Sequence, residues 1–342
     1  MEINNRTVRL LERPVGLPNK DIWSFKEENF DLKLDKNQLL VKNEFISLDP
    51  AMRGWLNEGK SYIPPVQIGD VMRAGTVGKV IKSNNERFKV GDYVSGWGGV
   101  QEYTISEGKD YQIIHDNKIN KQSYLGVLGM PGFTAYFGIL REGNIKEGDT
   151  VVVSAAAGAV GSVVGQIARI KGCKVIGIAG GSKKCDYVKN TLKFDECLDY
   201  KSENFFNNLR NACRDGVDVY FDNVGGTLLN QMMIFISRGA RIVICGAISQ
   251  YNQKPVGPSN YLSLLVNRAT MKGMVVFDYA KDYASAQKEM RDWMLNGELI
   301  ANEDIYEGIE NFHDIFLKLF NGEKIGKLIL KISIMSKPDF FS

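Results

Sequence analysis

The sequence predicts an α/β protein of two domains: a compact antiparallel β-barrel-type domain and a doubly wound parallel-sheet domain. Three observations support this. The 342 residues exceed what one ordinary hydrophobic core holds. Short alternating runs separated by Gly, Asn and Asp turns fill residues 1–125, as is typical of antiparallel strands. From residue 127 to about 300, β-branched strands alternate with helical segments, which a doubly wound sheet requires.

The pattern of apolar residues and turns also predicts the boundaries. We expect the first domain over 1–125, completed by 306–342, and the second over 126–305. Strands of the first domain are predicted at 39–46, 75–81, 93–94 and 327–332, with a helix at 309–321. Five parallel strands of the second are predicted at 151–154, 174–179, 217–222, 241–245 and 270–276. The cleft between the domains is the expected ligand site.

A strand, a glycine turn and a helix follow one another near the middle of the chain. Val151–Val153 is β-branched, Ala156-x-Gly158-x-x-Gly161 comes next, and 162–171 continues at helical spacing. In that context the glycines predict a dinucleotide site, with the pyrophosphate at the positive end of the helix. Gly158 lets the backbone approach the pyrophosphate, and Gly161 lets the helix pack on its strand. The expected contacts are Ala157, Gly158, Ala159, Val160 and Gly161.

The next strand indicates which dinucleotide binds. A NAD site ends this strand with Asp or Glu, about 20 residues after the glycines, to bind the ribose hydroxyls. This chain has Gly180-Gly181-Ser182-Lys183-Lys184 there. No carboxylate repels a 2′-phosphate, and Ser182 and Lys184 supply groups that bind one, so the predicted cofactor is NADP(H). The alternative is a solvated lysine pair at the start of a surface helix.

Composition excludes several classes of function. The net charge of +3 comes without a basic block, so nucleic acid is not an expected partner. No apolar run approaches the length of about 18 residues that a membrane helix needs, and the start lacks the apolar core of a signal peptide. We therefore expect a cytoplasmic protein with no membrane association. Its five scattered cysteines are expected to be reduced thiols, because they form no disulfide pattern.

Six motifs in order carry a resemblance to a known family. They are Asp49–Gly54, Met130–Tyr136, the glycine turn, Tyr220–Gly226, Ile244–Asn252 and Ile325–Lys327. Over nearly its whole length the chain resembles the zinc-independent medium-chain dehydrogenases/reductases of the prostaglandin reductase and leukotriene 12-hydroxydehydrogenase branch. That branch includes bacterial curcumin reductases and plant double-bond reductases. The resemblance implies a GroES-like barrel, a Rossmann domain and a homodimer.

The resemblance also implies roles for individual residues. Lys184 and Tyr200 match residues that contact the 2′-phosphate, and Asn223 matches a cofactor-contacting asparagine. The loop beside the nicotinamide matches the run Cys245, Gly246, Ala247, Ile248, Ser249, Gln250 and Tyr251. A segment that closes over the nicotinamide matches Met274, Val275 and Val276. One position departs from the pattern: Lys324 stands where the family often has an asparagine, so it is a further cofactor-binding candidate.

A zinc site is not expected. Alcohol dehydrogenases of the wider superfamily bind catalytic zinc through Cys and His of the barrel domain. Here residues 1–114 contain neither, and the only two histidines of the sequence are His115 and His313. Gly69-Asp70 stands where those relatives carry Gly-His-Glu. Without a Lewis acid, alcohol oxidation is poorly supported, whereas reduction of an electron-poor double bond is feasible.

The leading hypothesis is therefore NADPH-dependent reduction of the carbon–carbon double bond of small hydrophobic enones or enals. Hydride goes to the β-carbon, and charge develops on the carbonyl oxygen, which needs a hydrogen-bond donor. Tyr251 and Asn252 are the first candidates, and Tyr62 matches a substrate-facing tyrosine of relatives. Each has a structural alternative: Tyr62 beside two prolines packs a rigid loop, and Tyr251 is an ordinary surface tyrosine.

Other functions stay open at this point. Quinone reduction uses the same cofactor, and the product distinguishes it from enone reduction. A protein that binds NADPH without turnover is the alternative from another class; it would bind NADPH while no acceptor caused oxidation. Oxidation of a lipid hydroxyl with NADP⁺ is a minor alternative for the same site.

Overall fold

The computed structural model describes residues 2–31 and 33–332. The strands, in chain order, are β1 Glu2–Leu10, β2 Trp23–Asp31, β3 Leu39–Ser47, β4 Thr76–Ser83, β5 Tyr93–Gly96, β6 Tyr103–Ser106, β7 Gln112–Ile113, β8 Thr150–Ser154, β9 Lys174–Ala179, β10 Glu196–Asp199, β11 Val217–Asp222, β12 Ile236–Ile244, β13 Thr270–Gly273, β14 Glu303–Glu307 and β15 Lys327–Lys331. The helices are α1 Ala51–Gly54, α2 Met130–Phe137, α3 Gly161–Ile170, α4 Ser182–Asp186, α5 Phe205–Ala212, α6 Gly226–Met232, α7 Leu262–Asn267, α8 Tyr283–Leu295 and α9 Phe312–Asn321.

The described chain forms two compact units. The first comprises residues 2–125, 304–321 and 328–332, and the second comprises Gly126–Glu303 and Gly322–Lys327. Residues 322–327, predicted as part of the first domain, belong to the second unit, where Gly326 pairs with Gly158. The part of the predicted first domain beyond residue 332 lies outside the described residues.

The first unit is built on antiparallel strands. Its main sheet has the order β14-β15-β3-β4-β5-β7, with β6 also paired to β3, and β1 and β2 form a separate pair. Val77 and Val80, three residues apart in β4, face opposite sides of the strand and belong to two different apolar clusters, so both faces of β4 are covered there. The rings of Phe312 and Phe316 in α9 meet Trp23 edge-on, with centroids 5.2 and 6.3 Å apart. The predicted helix over 309–321 is thus present, with a 3₁₀ turn before α9.

The second unit is a doubly wound parallel sheet, which confirms the predicted fold class. Its order is β10-β9-β8-β11-β12-β13, and every pairing is parallel. The expectation of five strands was wrong, because β10 adds a sixth. This strand has four residues, two of them acidic, and lies at the sheet edge, so it lacks the buried apolar run that marks the others.

Two strand boundaries differ from the prediction by more than two residues. β12 begins five residues earlier than expected, at Ile236, through a polar stretch that is exposed at Arg238 and Gly239. β13 ends at Gly273, three residues earlier than expected, because a 3₁₀ turn over Val276–Asp282 follows. β12 thus extends beyond its apolar residues, whereas β13 ends before its run of apolar residues does.

The strand order creates a switch point. From β8 the chain runs to β9 and β10 on one side, then crosses to β11, β12 and β13 on the other. Loops that leave the carboxyl ends of β8 and β11 therefore diverge, and ligands of such sheets bind in the crevice at that point. No helix within the described residues has both the length and the apolar character needed to cross a membrane.

A buried histidine belongs to the apolar core of the first unit. The Trp23 indole N–H donates to Nδ1 of His313 over 3.3 Å, so that nitrogen is an acceptor and the ring is neutral. Burial lowers the pKa of His313 below its ordinary value of 6.5. The charges of Asp314 and Asp21 oppose that effect, and that of Lys20 adds to it.

Acidification should therefore destabilise the protein through His313. Between the lowered pKa of the folded protein and the unfolded value of about 6.5, the unfolded chain binds the proton more readily than the folded protein does. The stability contributed by the neutral His313 ring is therefore lost as the pH falls. For one proton the free energy of unfolding drops by up to about 1.4 kcal/mol per pH unit. Urea unfolding of His313→Asn, which keeps an acceptor for Trp23, should show a shallower drop below pH 6.5.

His115→Asn is the matched control. It removes the other histidine of the sequence and leaves the Trp23–His313 pair intact, so the acid-induced drop should persist. An equal drop in His313→Asn and the wild type would contradict the assignment.

Candidate cofactor site

The glycine turn between β8 and α3 leaves its backbone open to a ligand. A Cβ on Gly161 would lie 2.4 Å from the Ala155 carbonyl oxygen, so only glycine lets α3 start this close to the strand. A Cβ on Gly158 would lie 3.1 Å from the same oxygen and 3.9 Å from Nζ of Lys324. A side chain at Gly158 would thus occupy the space beside the turn. Ala157, Ala159 and Val160 complete this loop.

The second unit's C-terminal segment, 322–327, lies along the glycine turn. The Gly326 N–H donates to the Ala157 carbonyl (2.7 Å), and Gly326 pairs with Gly158 in a parallel bridge. Lys324 Nζ donates to the Gly326 carbonyl over 3.2 Å. The ammonium group of Lys324 therefore lies beside the loop that is expected to approach the pyrophosphate.

A group of residues that we call the cationic corner lies where β9 ends. It comprises Ser182, Lys184, Tyr200 and the Gly322 backbone. Lys184 Nζ donates to the Gly322 carbonyl over 2.6 Å. The half-exposed ring of Tyr200 lies 2.8 Å from the position of a Cβ on Gly180, so glycine is needed there for the ring to fit. The structure thus brings together Lys184 and Tyr200, which lie 16 residues apart in the sequence.

The turn that opens this corner is fixed by a neighbouring strand. Asp199, at the end of β10, accepts hydrogen bonds through Oδ1 from the Gly181 N–H (2.8 Å) and the Lys201 N–H (2.9 Å). This carboxylate was not among the sequence candidates. β10 was not predicted either, so the sequence offered no strand end at which to place Asp199.

The loops after β11 and β12 pack against each other and against the end of β8. Asn223 Nδ2 donates to the Ser154 carbonyl, and the Asn223 N–H to the Ser154 hydroxyl, both over 2.8 Å. The Ile248 N–H donates to the Asn223 carbonyl (3.1 Å), and the Ser249 hydroxyl to the Val224 carbonyl (2.7 Å). Asn223 and the predicted nicotinamide loop are thus brought together at the switch point.

Tyr251 ends that loop and folds back onto it. The Ala247 N–H donates to the Tyr251 hydroxyl oxygen over 3.2 Å. A phenol that accepts a hydrogen bond retains a proton that it can donate to another acceptor. Gly246 N–H and Cys245 N–H donate to the Asp222 carbonyl, and burial raises the pKa of the Cys245 thiol to about 12. Asn252 follows Tyr251 in a turn.

The segment Met274–Val276 starts where β13 ends. The Met274 N–H donates to the Ile244 carbonyl (3.1 Å), beside the start of the Cys245 loop. The Tyr283 hydroxyl donates to the Val276 carbonyl over 2.9 Å. Met274 and Val276 are buried, and Val275 is partly exposed. The segment is therefore held at the same edge of the sheet as Asn223.

Asp222 connects these loops, although it is not among the residues predicted to form the site. Its carboxylate accepts hydrogen bonds from the Tyr220 hydroxyl (2.8 Å), the Ser154 hydroxyl (3.0 Å) and the N–H groups of Val224 and Gly225. Burial raises the pKa of Asp222, and the hydrogen bonds from Gly225 and Val224 partly offset that rise. The sequence signal for Asp222 was its position as a carboxylate at the end of an apolar strand.

Tyr62 lies in the first unit, whereas the other candidate residues belong to the second. Its hydroxyl accepts a hydrogen bond from the Trp55 indole N–H (3.3 Å), and about half of its surface is exposed. Trp55 in turn meets Trp97 edge-on, with centroids 5.8 Å apart. Tyr62 thus belongs to an aromatic group of the first unit. Within residues 2–31 and 33–332, no group of three or more His, Cys, Asp or Glu side chains is placed to hold a metal ion.

Comparison with known proteins agrees with this architecture. The family model described as the N-terminal domain of oxidoreductase matches residues 6–114, and the one described as zinc-binding dehydrogenase matches residues 159–294. The NADPH-dependent curcumin reductase of Escherichia coli is 39% identical over 96% of this chain and 97% of its own length. The chain belongs to the medium-chain dehydrogenase/reductase family.

Two further members of this family are similar over almost their full lengths. The NADP⁺-dependent 2-alkenal reductase of Nicotiana tabacum is 37% identical over 97% of this chain and 98% of its own. A crystal structure of CurA from Vibrio vulnificus in complex with NADPH is 42% identical, covers 96% of this chain and 99% of its own, and has a TM-score of 0.91. The resemblance to this branch of the medium-chain dehydrogenases/reductases is confirmed.

Removing the Asp222 carboxylate should destabilise this medium-chain dehydrogenase/reductase strongly. In Asp222→Ala the buried hydroxyl and N–H donors lose their acceptor, so we expect the free energy of unfolding to fall by about 3 kcal/mol in urea titrations. Asp215→Ala is the control, because the Asp215 side chain is largely exposed, and it should change stability by less than about 0.5 kcal/mol. Similar losses in both variants would contradict the role of Asp222.

Proposed function

We propose that this protein reduces the carbon–carbon double bond of small hydrophobic enones or enals with NADPH. The observation that carries the proposal is the carboxyl edge of the parallel sheet. There the open glycine turn follows β8, the cationic corner follows β9, and the loop ending in Tyr251 follows β12. The names of the relatives, a curcumin reductase and a 2-alkenal reductase, support the same class of substrate.

The residues of this edge fit NADPH. The open space at Gly158 suits a diphosphate, and Lys324 Nζ beside it supplies a positive charge. Lys184, Ser182 and Tyr200 would hold the 2′-phosphate. Asn223 and the loop from Cys245 to Ser249 (Cys245, Gly246, Ala247, Ile248 and Ser249) would hold the nicotinamide half, with Met274, Val275 and Val276 beside it.

The chain's own residues then orient the substrate and stabilise its developing charge. When bound, NADPH supplies a hydride, which the substrate accepts at the β-carbon. Tyr251 would donate its phenolic proton in a hydrogen bond to the carbonyl oxygen as negative charge grows there. The N–H of Ala247, bonded to the same hydroxyl oxygen, orients the phenol for that contact. Asn252 and Tyr62 are the other candidates for polar contact with the substrate.

We also propose that the two units correspond to a substrate domain and a cofactor domain, and that the protein acts in the cytoplasm as a homodimer. The edge strand β13 pairs only with β12 in the described chain, and α7 beside it exposes Leu262, Leu265 and Val266. An unpaired edge next to exposed apolar side chains suits pairing with a second copy. Light scattering should give twice the chain mass of 38.2 kDa, and a monomeric mass would contradict the dimer.

The function is tested by following NADPH absorbance with a panel of acceptors: 4-hydroxynonenal, an aryl enone, a lipid enone and a quinone. Oxidation with the enones, and recovery of the saturated carbonyl compound, is the expected result. Turnover with the quinone alone would replace the proposal with quinone reduction. NADPH binding without any turnover would contradict both enzymatic functions.

The cationic corner predicts how the enzyme distinguishes NADPH from NADH. In Lys184→Met the 2′-phosphate loses a charged donor, so the KM for NADPH should rise roughly tenfold or more, while that for NADH stays nearly unchanged. Lys189→Met, on the same helical segment at an exposed position, is the control. Equal effects on both cofactors would show that Lys184 acts on the fold and not on the phosphate.

Tyr251 is predicted to act on turnover more than on cofactor binding. Tyr251→Phe removes the donor to the carbonyl oxygen, and loss of one such donor costs about 100-fold in kcat. NADPH affinity, measured by fluorescence titration, should change much less. Tyr306→Phe, in the first unit, is the control and should retain kcat. An unchanged kcat in Tyr251→Phe would transfer the role to Asn252 or Tyr62.

A further inference from the structure

The motif Met130–Tyr136 lies in α2, and aromatic side chains of this helix pack on the chain that follows β13. Phe133 and Phe137 are four residues apart and share one face of the helix. The ring of Phe133 stacks on that of Tyr283, with centroids 4.4 Å apart and an angle of 13° between the planes. The ring of Phe137 stacks on that of Tyr279, at 4.7 Å and 5°. We call these four residues the aromatic stack.

The aromatic stack places the Tyr283 hydroxyl against the backbone after β13. This hydroxyl donates to the Val276 carbonyl over 2.9 Å, and the Met130 sulfur lies 3.8 Å from the same hydroxyl oxygen. A hydroxyl has one proton, and the carbonyl oxygen is both the nearer and the stronger acceptor, so the proton goes to Val276. Burial raises the pKa of Tyr283 to about 12, and the charge of Asp278 adds to the rise. The phenol therefore stays a donor at neutral pH.

The hydrogen bond from Tyr283 holds the far end of the segment Met274–Val276. The near end is held where β13 stops, because the Met274 N–H donates to the Ile244 carbonyl over 3.1 Å. Between these two bonds, Val275 is partly exposed and has an extended backbone, with φ −123° and ψ 120°. The bonds at both ends therefore set the position in which the segment meets a ligand at this edge of the sheet.

The strand order indicates which half of a dinucleotide this segment would meet. The glycine turn follows β8 and the cationic corner follows β9, whereas the segment follows β13 on the other side of the switch point. With its pyrophosphate at the glycine turn and its 2′-phosphate at the cationic corner, NADPH would extend its nicotinamide half toward the ends of β11, β12 and β13.

We propose that Tyr283 is a positioning residue for hydride transfer, because its hydrogen bond to Val276 fixes the segment Met274–Val276 beside the nicotinamide half of NADPH. This inference rests on the proposed function. Tyr283 acts through the backbone of the segment and contacts neither the cofactor nor the substrate. Misplacement of a reactant by about 1 Å can slow a reaction about 100-fold, so a single hydrogen bond remote from the reacting atoms affects the chemical step. Phe133 keeps the Tyr283 ring in place, which gives the motif Met130–Tyr136 a function.

Hydrogen exchange tests the position of the segment without any measurement of activity. Tyr283→Phe keeps the ring that stacks on Phe133 and removes only the hydroxyl. In the protein without cofactor, this change should speed amide exchange in peptides that cover 274–282 and leave the strands of the second unit unchanged. Saturating NADPH should protect the same peptides in the wild type, and protect them less in Tyr283→Phe. Equal exchange in both proteins would overturn the proposal, as would NADPH binding that leaves these peptides unprotected.

The effect on chemistry is measured in a single turnover by stopped flow, with the rate expressed per mole of bound NADPH. We expect the hydride-transfer rate of Tyr283→Phe to fall about tenfold, which corresponds to the loss of one hydrogen bond. The Kd for NADPH should change by less than about twofold, because the phosphate contacts are retained. NADPH deuterated at the transferred position should slow the observed step in both proteins, which identifies that step as hydride transfer.

Tyr136→Phe is the matched control. It removes a hydroxyl that lies on α2 and donates to Glu289 instead of to the segment, so exchange over 274–282 and the hydride-transfer rate should both be retained. An unchanged rate in Tyr283→Phe, or equal losses of rate in the two variants, would overturn the positioning role. A wild type that binds NADPH but transfers no hydride to any acceptor would instead refute the proposed function, and the exchange experiment would still decide whether Tyr283 orders the segment.

Discussion

The buried carboxylate of Asp222 holds the ends of three structural segments in one place. It binds the hydroxyl of Ser154 at the end of β8, and it accepts the N–H groups that start the turn into α6. Its own carbonyl receives the N–H groups of Cys245 and Gly246 after β12. Because a buried charge without donors would be very costly, each donor must stay in position. The loops of the candidate site therefore have little freedom to separate.

A second constraint acts at the other side of the switch point. The segment 322–327 comes from the far end of the sequence and closes on the glycine turn through Gly326 and Ala157. It delivers one cationic group, Lys324, to the turn, and its Gly322 carbonyl binds a second, Lys184. Two positive charges are thus spaced along one short segment. This spacing suits a ligand with phosphate groups at two separate positions, as NADPH has.

The proposed reaction requires orientation of cofactor and substrate and electrostatic stabilisation of charge. It depends less on acid–base catalysis by groups with strongly shifted pKa values. Hydride transfer needs the cofactor held at a fixed place, and the developing enolate needs a neutral donor. In the proposed reaction Tyr251 would meet the second need, from a loop that the Asp222 network anchors.

The sequence by itself determined the two-domain α/β class, the glycine turn and most parallel strands, because apolar periodicity and turn residues are local signals. It also indicated NADP(H), through the absence of a carboxylate near Gly180. Tertiary structure decided what depends on pairing between distant segments. β10 exists because β9 offers it a partner, and Asp199 acquires its role only with that strand. The positions of Lys324 beside Gly158 and of Tyr200 over Gly180 are of the same kind, because no local pattern encodes which remote backbone or side chain a residue will meet.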